Sequence, residues 1–529
     1  MNISTVDLLI IIFYLGGILT LGVFSTRRKK MDSNRYFLAG RSLNWAVIGA
    51  ALFASNISTI HLVGLSAQGF RDGMVWGNFE WMAAFLLIVL GLVFAPFYFR
   101  NRISTLPEYL EKRFGPPSRT LLAIIAIVTA LFVHIGISLY AGAVLFRNFF
   151  GIGIWSSILL LSAITATYTV LGGLKAVVVT ETVQTIILIA GAAVLTGIAV
   201  FALPEMKIHN LAELKAAVKP DQLSMLHRGE DAIIPWYAVI LGYPVLGIYY
   251  WCADQTIVQR VLAARSLKDA QVGPVFAGFI KILPVFLMVF PGVLAYVLFK
   301  DKITDSNDTL LVLITELLPV GLKGIMAAAL MAALMSTIAA ALNSAGTLVS
   351  IDIIQRMRPE TPDRKLVQAG RITSICVMVI AILWSPLIGK FESIFEAISI
   401  IMAMISPPVS TVFVLGALWK RGTAQASFIT MIVGMILGTI TFCFDFVPIS
   451  GYAYISEGLG MHFMMQAWWL FVVCCAIFVT VSLLTPRPDS SQLAYLTLSL
   501  DLRKRKIPVA AWLSLLLIAC MLILYKVFA

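Results

Sequence analysis

The chain has 529 residues, of which 60% are hydrophobic and 12% are charged. That composition excludes a soluble globular protein and is typical of a protein that crosses the membrane many times. The formal net charge of +12 does not indicate a nucleic-acid surface, because the basic residues alternate between successive loops in a positive-inside pattern. We therefore expect the lipid bilayer, and no nucleic acid, as a partner.

Apolar runs predict fourteen transmembrane helices in one membrane domain, since no polar region is long enough to fold by itself. They cover residues 5–24, 43–69, 76–98, 119–148, 152–171, 178–202, 233–260, 270–299, 322–355, 368–388, 392–419, 424–446, 463–485 and 508–528. The first run precedes its basic residues, the reverse of a cleavable signal peptide, so we expect it to remain as a helix. The loop charges predict a cytoplasmic (plasma) membrane protein with its N-terminus outside.

The second predicted span contains the segment ALFASNISTIHLVG at residues 51–64. Five of seven consecutive positions within it are polar, namely Ser55, Asn56, Ser58, Thr59 and His61. A regular helix whose hydroxyls bond back to its own carbonyls would explain one or two of these residues. Five together favour a helix that is unwound at membrane depth, where its free backbone lines a cavity or an ion site.

The seventh predicted span is interrupted in a similar way, by Gly242, Tyr243, Pro244 and Gly247. Because the two interrupted spans are five places apart in order, they indicate a five-plus-five inverted repeat. Glycine and proline are, however, also common in membrane helices for other reasons. The predicted division is an N-terminal helix with a basic cytoplasmic loop (1–42), a first repeat (43–202), an external loop (203–232), a second repeat (233–421) and three C-terminal helices (422–529).

Two hydroxyls in the ninth predicted span favour a cation site. Ala333, Ser336 and Thr337 share one face of a helix, and with unwound carbonyls near Ala54 and Ile57 they form an oxygen set suited to a small hard cation. None of these groups titrates near neutral pH, which favours sodium over a proton as the coupling ion. The alternative is a pair of hydroxyls that ease helix packing.

Ionisable residues in apolar surroundings indicate a polar cavity. Glu80 and Lys281 would together accept from and donate to several hydroxyls, as a sugar or polyol requires. Alternatively, Glu80 lies at the interface, and Lys281 snorkels or pairs with an acid such as Asp254. His61 adds a neutral donor and acceptor.

Aromatic residues and a further carboxylate complete the candidate site. Tyr249, Tyr250 and Trp251 follow the second interruption and offer flat faces for a sugar ring, unless they form an interfacial belt. Glu181 either attracts a departing cation or caps a helix.

The sequence disfavours an enzyme or a receptor. Its six cysteines lie in or beside apolar spans without paired spacing, which indicates neither a disulfide framework nor a metal site other than one for sodium. It contains no Ser/His/Asp or metal-ligand spacing and no cytoplasmic output module.

Four motifs resemble the sodium/solute symporters, and the sodium/glucose type most of all: FLAGRSLNWAVIGAALFASNIS, FEWM, YYWCADQTIVQRVLAA and LMSTIAAALNSAGTLVSIDII. The resemblance covers Tyr36 to about Arg421. It implies an all-α membrane protein with a LeuT-like inverted repeat, alternating access, and sodium-coupled symport of a neutral hexose.

The resemblance also implies roles for single residues. The sodium ligands are the carbonyls of Ala54, Ile57 and Ala333 and the hydroxyls of Ser336 and Thr337. The substrate contacts are Asn56, His61, Glu80, Lys281, Trp251 and Ser399. The gates are Tyr250, Phe79 and Phe395, and Glu181 replaces the usual Asp on the sodium exit path.

Three departures bear on specificity. Ser399 stands where sugar-transporting relatives carry a glutamine, and Gly247 replaces a polar residue of a bacterial sugar symporter. Ala339 stands where members coupling two sodium ions have a hydroxyl, which favours one sodium. Myo-inositol, a sugar acid and an amino acid therefore remain alternative solutes.

Overall fold

A computed structural model describes residues 4–25, 32–228, 232–386, 394–445, 453–493 and 507–528, apart from the side chains of 59, 60, 394–397 and 491. Within these segments the chain is helical and contains no β-strand. The helices are α1 (Thr5–Phe24), α2 (Ser33–Leu38), α3 (Trp45–Asn56), α4 (Thr59–Arg71), α5 (Met74–Arg100), α6 (Leu106–Phe114), α7 (Pro116–Phe150), α8 (Ile154–Phe201), α9 (Leu211–Ala217), α10 (Ala238–Ala253), α11 (Gln255–Leu262), α12 (Leu267–Phe299), α13 (Thr309–Leu317), α14 (Leu322–Gln355), α15 (Asp363–Trp384), α16 (Ile394–Leu418), α17 (Ala424–Asp445), α18 (Phe463–Leu484), α19 (Ser490–Leu493) and α20 (Val509–Val527).

Eleven helices in the described segments are long and apolar enough to cross a membrane, and α3 with α4 makes twelve if that bent pair is one span. The prediction of an all-α, multi-pass membrane protein is thus confirmed, whereas the number fourteen stays a prediction. One predicted loop is instead a turn inside α8 at Gly173, where φ is 60°. A β-carbon there would collide with the Tyr36 carbonyl region, so only glycine fits.

The first predicted interruption lies between α3 and α4. The backbone leaves the helix at Ile57 (ψ 112°) and Ser58 (ψ 171°), and the axes of Trp45–Asn56 and His61–Arg71 differ by 63°. The Ser58 hydroxyl and the His61 ring cap the start of α4. The unwound segment is therefore where the polar cluster predicted it.

The second interruption is displaced from its predicted position. Gly242 to Gly247 lie inside the helical segment Ala238–Ala253, and the extended residue is Asp254 (ψ 121°). Two π-helical turns, before and after Tyr243–Ile248, accommodate Pro244 without ending the helix. The two glycines permit close packing instead, since a β-carbon at Gly242 would meet the Met464 carbonyl and one at Gly247 would meet Leu86.

Helix α14 forms the centre of the bundle. In its most apolar stretch 94% of the residues are buried, against 22% for α20, and its run of alanines lets neighbouring backbones approach closely. At its start, Asp7 of α1 accepts from the backbone N–H groups of Gly321 (2.8 Å) and Gly324 (2.7 Å). The first helix of the chain thus caps the helix that carries Ser336 and Thr337.

The crossing of α4 and α12 provides a test of this packing. A β-carbon on Gly292 would collide with the Ser66 carbonyl oxygen, so Gly292→Ala should destabilise the protein by about 1–3 kcal/mol through overpacking. Gly197 has no neighbouring atom within 4 Å of such a β-carbon, and Gly197→Ala should be neutral or slightly stabilising. Thermal unfolding of both variants in detergent measures the difference, and equal transition temperatures would contradict the close crossing.

Candidate functional site

A cavity lies beside the break between α3 and α4. The lining residues are Asn56, Ser58, His61, Phe79, Glu80, Val133, His134, Ser138, Tyr243, Leu246, Gly247, Tyr250, Trp251, Thr337, Ile398, Ser399 and Met402. Nine of these residues are apolar or aromatic and eight are polar or ionisable, a mixture that suits a polar organic solute.

The predicted sodium ligands converge where α14 crosses the broken helix. The Ser336 hydroxyl lies 2.7 Å from the Ala54 carbonyl oxygen and 2.8 Å from that of Ala333. The Thr337 hydroxyl lies 3.3 Å from the Ala333 carbonyl oxygen and 3.4 Å from that of Ser55. Hydroxyl and carbonyl oxygens together are the ligands that a hard cation prefers.

Ile57 completes the predicted set at the break itself. It is fully buried, and its extended backbone removes its carbonyl from the regular helical hydrogen-bonding pattern. Within the described residues no three His, Cys, Asp or Glu side chains form a metal-binding cluster. Oxygen ligands such as these carbonyls and hydroxyls suit a hard cation such as sodium better than a transition metal.

Glu80, which lines the cavity, forms a buried ion pair with Lys281. Lys281 Nζ lies 2.5 Å from Glu80 Oε2, and both side chains are nearly inaccessible to solvent. The same ammonium donates to Asn56 Oδ1, and the Asn56 amide donates to the Tyr250 hydroxyl at 3.0 Å. The pairing of Lys281 with Asp254 that the sequence allowed is not found, because Lys281 pairs with Glu80 and Asp254 bonds His134.

The aromatic residues adjoin this network. Lys281 Nζ lies 5.3 Å from the centre of the Trp251 ring, within cation–π range. Tyr250 and Trp251 pack edge to face at 5.1 Å, and Phe79, Tyr250 and Trp251 all line the cavity. The side chain of the other predicted gate residue, Phe395, lies outside the described residues.

His61 and Ser399 also lie on the cavity wall. The His61 ring nitrogen Nδ1 lies 3.2 Å from the Ser58 backbone nitrogen and 3.0 Å from the Ser58 hydroxyl. One side of the ring thus stabilises the unwound segment. Five of the six predicted substrate contacts therefore line one cavity. The sixth, Lys281, does not line it but bonds two residues that do, Glu80 and Asn56.

Glu181 lies close to the predicted sodium ligands, inside α8 rather than at a helix end. Ser55 donates to Glu181 at 2.9 Å, and Arg260 of α11 forms a fully buried ion pair with the same carboxylate. Ser55 directly follows Ala54, so the Glu181 carboxylate bonds the residue next to a predicted sodium ligand. It does not cap a helix, because it lies well inside α8.

The sequence interpretation missed four polar or flexible residues on the cavity wall: His134, Ser138, Tyr243 and Met402. Tyr243 donates to the Phe79 carbonyl at 2.6 Å and so holds the start of α5 against α10. His134 carried a usable signal, because an ionisable residue inside an apolar run is costly and usually functional. Met402 carried none, since methionine is ordinary in a membrane helix.

The model of the sodium:solute symporter family matches residues 36–434. The chain belongs to the sodium:solute symporter family. It is 33% identical to sodium/glucose cotransporter 1 of Oryctolagus cuniculus over 531 residues (92% of this chain, 80% of the relative). It is 34% identical to the sodium/myo-inositol cotransporter of Homo sapiens over 540 residues (93% of this chain, 75% of the relative).

Solved structures show the fold of this symporter. A sodium-coupled sialic acid symporter in a substrate-bound outward-open state aligns with a TM-score of 0.77 at 19% identity, covering 92% of this chain and all of the other. Mhp1, a nucleobase-cation-symport-1 transporter, aligns with a TM-score of 0.59 at 14% identity, covering 88% of this chain and 99% of the other. The symporter thus has the LeuT-like fold, and it is a sodium-coupled transporter rather than an enzyme.

The buried Glu80–Lys281 pair makes a testable prediction. Lys281→Met leaves an unpaired carboxylate at depth and should cost about 3–5 kcal/mol of stability. Adding Glu80→Gln removes the orphaned charge, so the double variant should recover much of that stability while its solute uptake stays absent. Lys302→Met, which breaks an exposed pair with Glu316, should change stability by less than about 1 kcal/mol.

Unfolding in detergent and uptake in proteoliposomes measure the two quantities separately. A double variant as unstable as Lys281→Met would contradict the ion pair. Normal uptake by the double variant would remove both residues from the substrate site.

Proposed function

We propose that this symporter couples one sodium ion to the uptake of a neutral sugar of the hexose class, by alternating access across the cytoplasmic (plasma) membrane. The observation that carries the proposal is the buried ion pair between Glu80, which lines the cavity, and Lys281. Because the two charges cancel, the Glu80 carboxylate and the neighbouring Asn56 amide offer polar contacts to an uncharged polyhydroxylated solute without a net charge. Trp251 offers a flat apolar face for its ring.

Thr337 supports coupling between the ion and the solute. Its side chain lines the cavity, and its hydroxyl reaches the backbone oxygens of Ser55 and Ala333. Asn56, the next residue after Ser55, bonds to Lys281 and Tyr250 in the solute site. A cation that orders the end of α3 would thereby also order the groups that meet the solute.

Three further residues are assigned to the transport cycle. Tyr250 and Phe79 act as gates, since both line the cavity and Tyr250 is tied to Asn56. Glu181 marks the exit path of sodium, supported by its bond to Ser55 beside the ion ligands. Ala339 offers no side-chain oxygen for a second ion, which supports one sodium per cycle.

One sodium ion suffices to drive accumulation. Moving one charge through a potential releases about 2.3 kcal/mol per 100 mV, and a tenfold sodium gradient adds about 1.4 kcal/mol. Together these support roughly a few hundredfold accumulation of an uncharged solute, because each decade of concentration costs about 1.4 kcal/mol.

Myo-inositol is the second candidate, favoured by the relatives named as sodium/myo-inositol cotransporters. It is also neutral and polyhydroxylated, so the same donors and acceptors suit it. A sugar acid or an amino acid receives less support, because Lys281 is already neutralised by Glu80.

Uptake into proteoliposomes tests the solute. With an inward sodium gradient, labelled glucose or galactose should accumulate, and an equal potassium gradient should give only equilibration. Accumulation of myo-inositol with no uptake of either hexose would keep the mechanism and replace the solute. Uptake that is indifferent to sodium would contradict the coupling.

Ser336→Ala with Thr337→Ala tests the ion site. Each hydroxyl contact with a charged group contributes about 1.5–3 kcal/mol, so the double variant should lose sodium stimulation, with well over a tenfold loss of sodium affinity. Ser344→Ala is the matched control on the same helix, because the Ser344 hydroxyl has no hydrogen-bond partner in the described structure. Sodium activation curves for both variants give the comparison, and an unchanged curve for the double variant would reject these ligands.

A further inference from the structure

His134 is a polar group that the proposed transport cycle has not used. It lies on α7, lines the cavity, and is only 8% exposed. Ser138, one helical turn further along, lines the cavity too. Because an ionisable side chain at membrane depth must face a cavity or a partner, the surroundings of His134 indicate its role.

Asp254 is the partner of His134. The ring nitrogen Nε2 lies 3.1 Å from Asp254 Oδ2, and Asp254 is 3% exposed. The other carboxylate oxygen, Oδ1, accepts from the Thr256 backbone N–H at 2.7 Å and caps α11. Since the carboxylate is held on both sides, it fixes the orientation of the imidazole ring.

This pairing determines what the other ring nitrogen can do. Facing a carboxylate, Nε2 carries the proton and donates it, so in the neutral ring Nδ1 is an acceptor. Among the described residues, the bond from Nε2 to Asp254 is the only hydrogen bond of the ring. Nδ1 thus makes no hydrogen bond there, yet it is not one of the fully buried atoms without a partner, so part of its surface is accessible. The cavity side of His134 therefore offers an accessible acceptor.

We propose that His134 contacts the solute directly, with Nδ1 accepting a hydrogen bond from one hydroxyl of a neutral sugar or polyol. Asp254 is the positioning residue for that contact. The inference rests on the proposed function and sharpens it, since a lone pair at this position attracts a hydroxyl and repels a carboxylate. The acceptor complements Glu80, which is already engaged by Lys281.

A series of analogues that each lack one hydroxyl tests the contact. A site built to bond a hydroxyl discriminates against the analogue that lacks it, so one deoxy analogue should bind the wild-type protein about tenfold more weakly than the parent solute. His134→Ala should lose about tenfold for the parent solute and show no further loss for that analogue. His134→Gln, whose amide oxygen also accepts, should restore part of the discrimination.

The measurements are competition of each analogue with uptake of the labelled parent solute, together with sodium activation. His209, exposed on the surface, gives the matched control His209→Ala, which should behave as wild type. Equal losses for all analogues in His134→Ala, or a shifted sodium activation, would show a structural role and overturn this inference alone. Failure of the wild-type protein to take up any hexose or inositol would overturn the proposed function with it.

Discussion

A hydrocarbon environment does not tolerate unpaired backbone groups, and this constraint accounts for the organisation of the centre of the molecule. The chain leaves the helical conformation at Ile57 and Ser58, so nearby carbonyls need other partners. Ser336 and Thr337 supply them by donating to Ala54 and Ser55 across the contact between helices. The Ser336 and Thr337 hydroxyls that bond the free carbonyls at the end of α3 are also the hydroxyls proposed to bind sodium. Ion binding and the local fold therefore depend on the same atoms.

The buried charges obey a related constraint, and their pairing has a common pattern. Glu80 forms an ion pair with Lys281 and Glu181 one with Arg260, and the Asp254 carboxylate is hydrogen-bonded by the His134 ring. In each pair, one member comes from residues 43–202 and the other from residues 233–421, the two predicted repeats. Breaking any of them leaves a charge in a medium that solvates it poorly, so electrostatics favour keeping the two halves in register around the cavity.

Much of this arrangement could be predicted from the sequence, because polar residues in an apolar run are informative. The cluster from Ser55 to His61 predicted the first break at the observed place. The second break was placed at Gly242 to Gly247, but those residues serve close packing and π-helical turns, and the chain opens at Asp254. Glycine and proline alone do not distinguish a packing contact from a break.

The pairing partners of the buried charged residues were harder to predict from the sequence than the position of the first break. Lys281 was a candidate for pairing with Asp254, but it pairs with Glu80, while Asp254 binds His134. Such choices depend on the rotation of each helix about its axis, which no local pattern specifies. Thr337 shows the same limit, since its contact with the cavity follows from how α14 lies against α3.

The cap that Asp7 places on α14 has a consequence for biogenesis. The two partners lie 314 and 317 residues apart in the chain, so α1 is made and inserted long before its binding partner exists. Contacts that are so distant in sequence form late, because a long loop must close before they contribute stability. During synthesis α1 therefore lies in the membrane without its partner until α14 has been made. Asp7 can cap α14, the helix that carries the proposed sodium ligands, only after that helix is inserted.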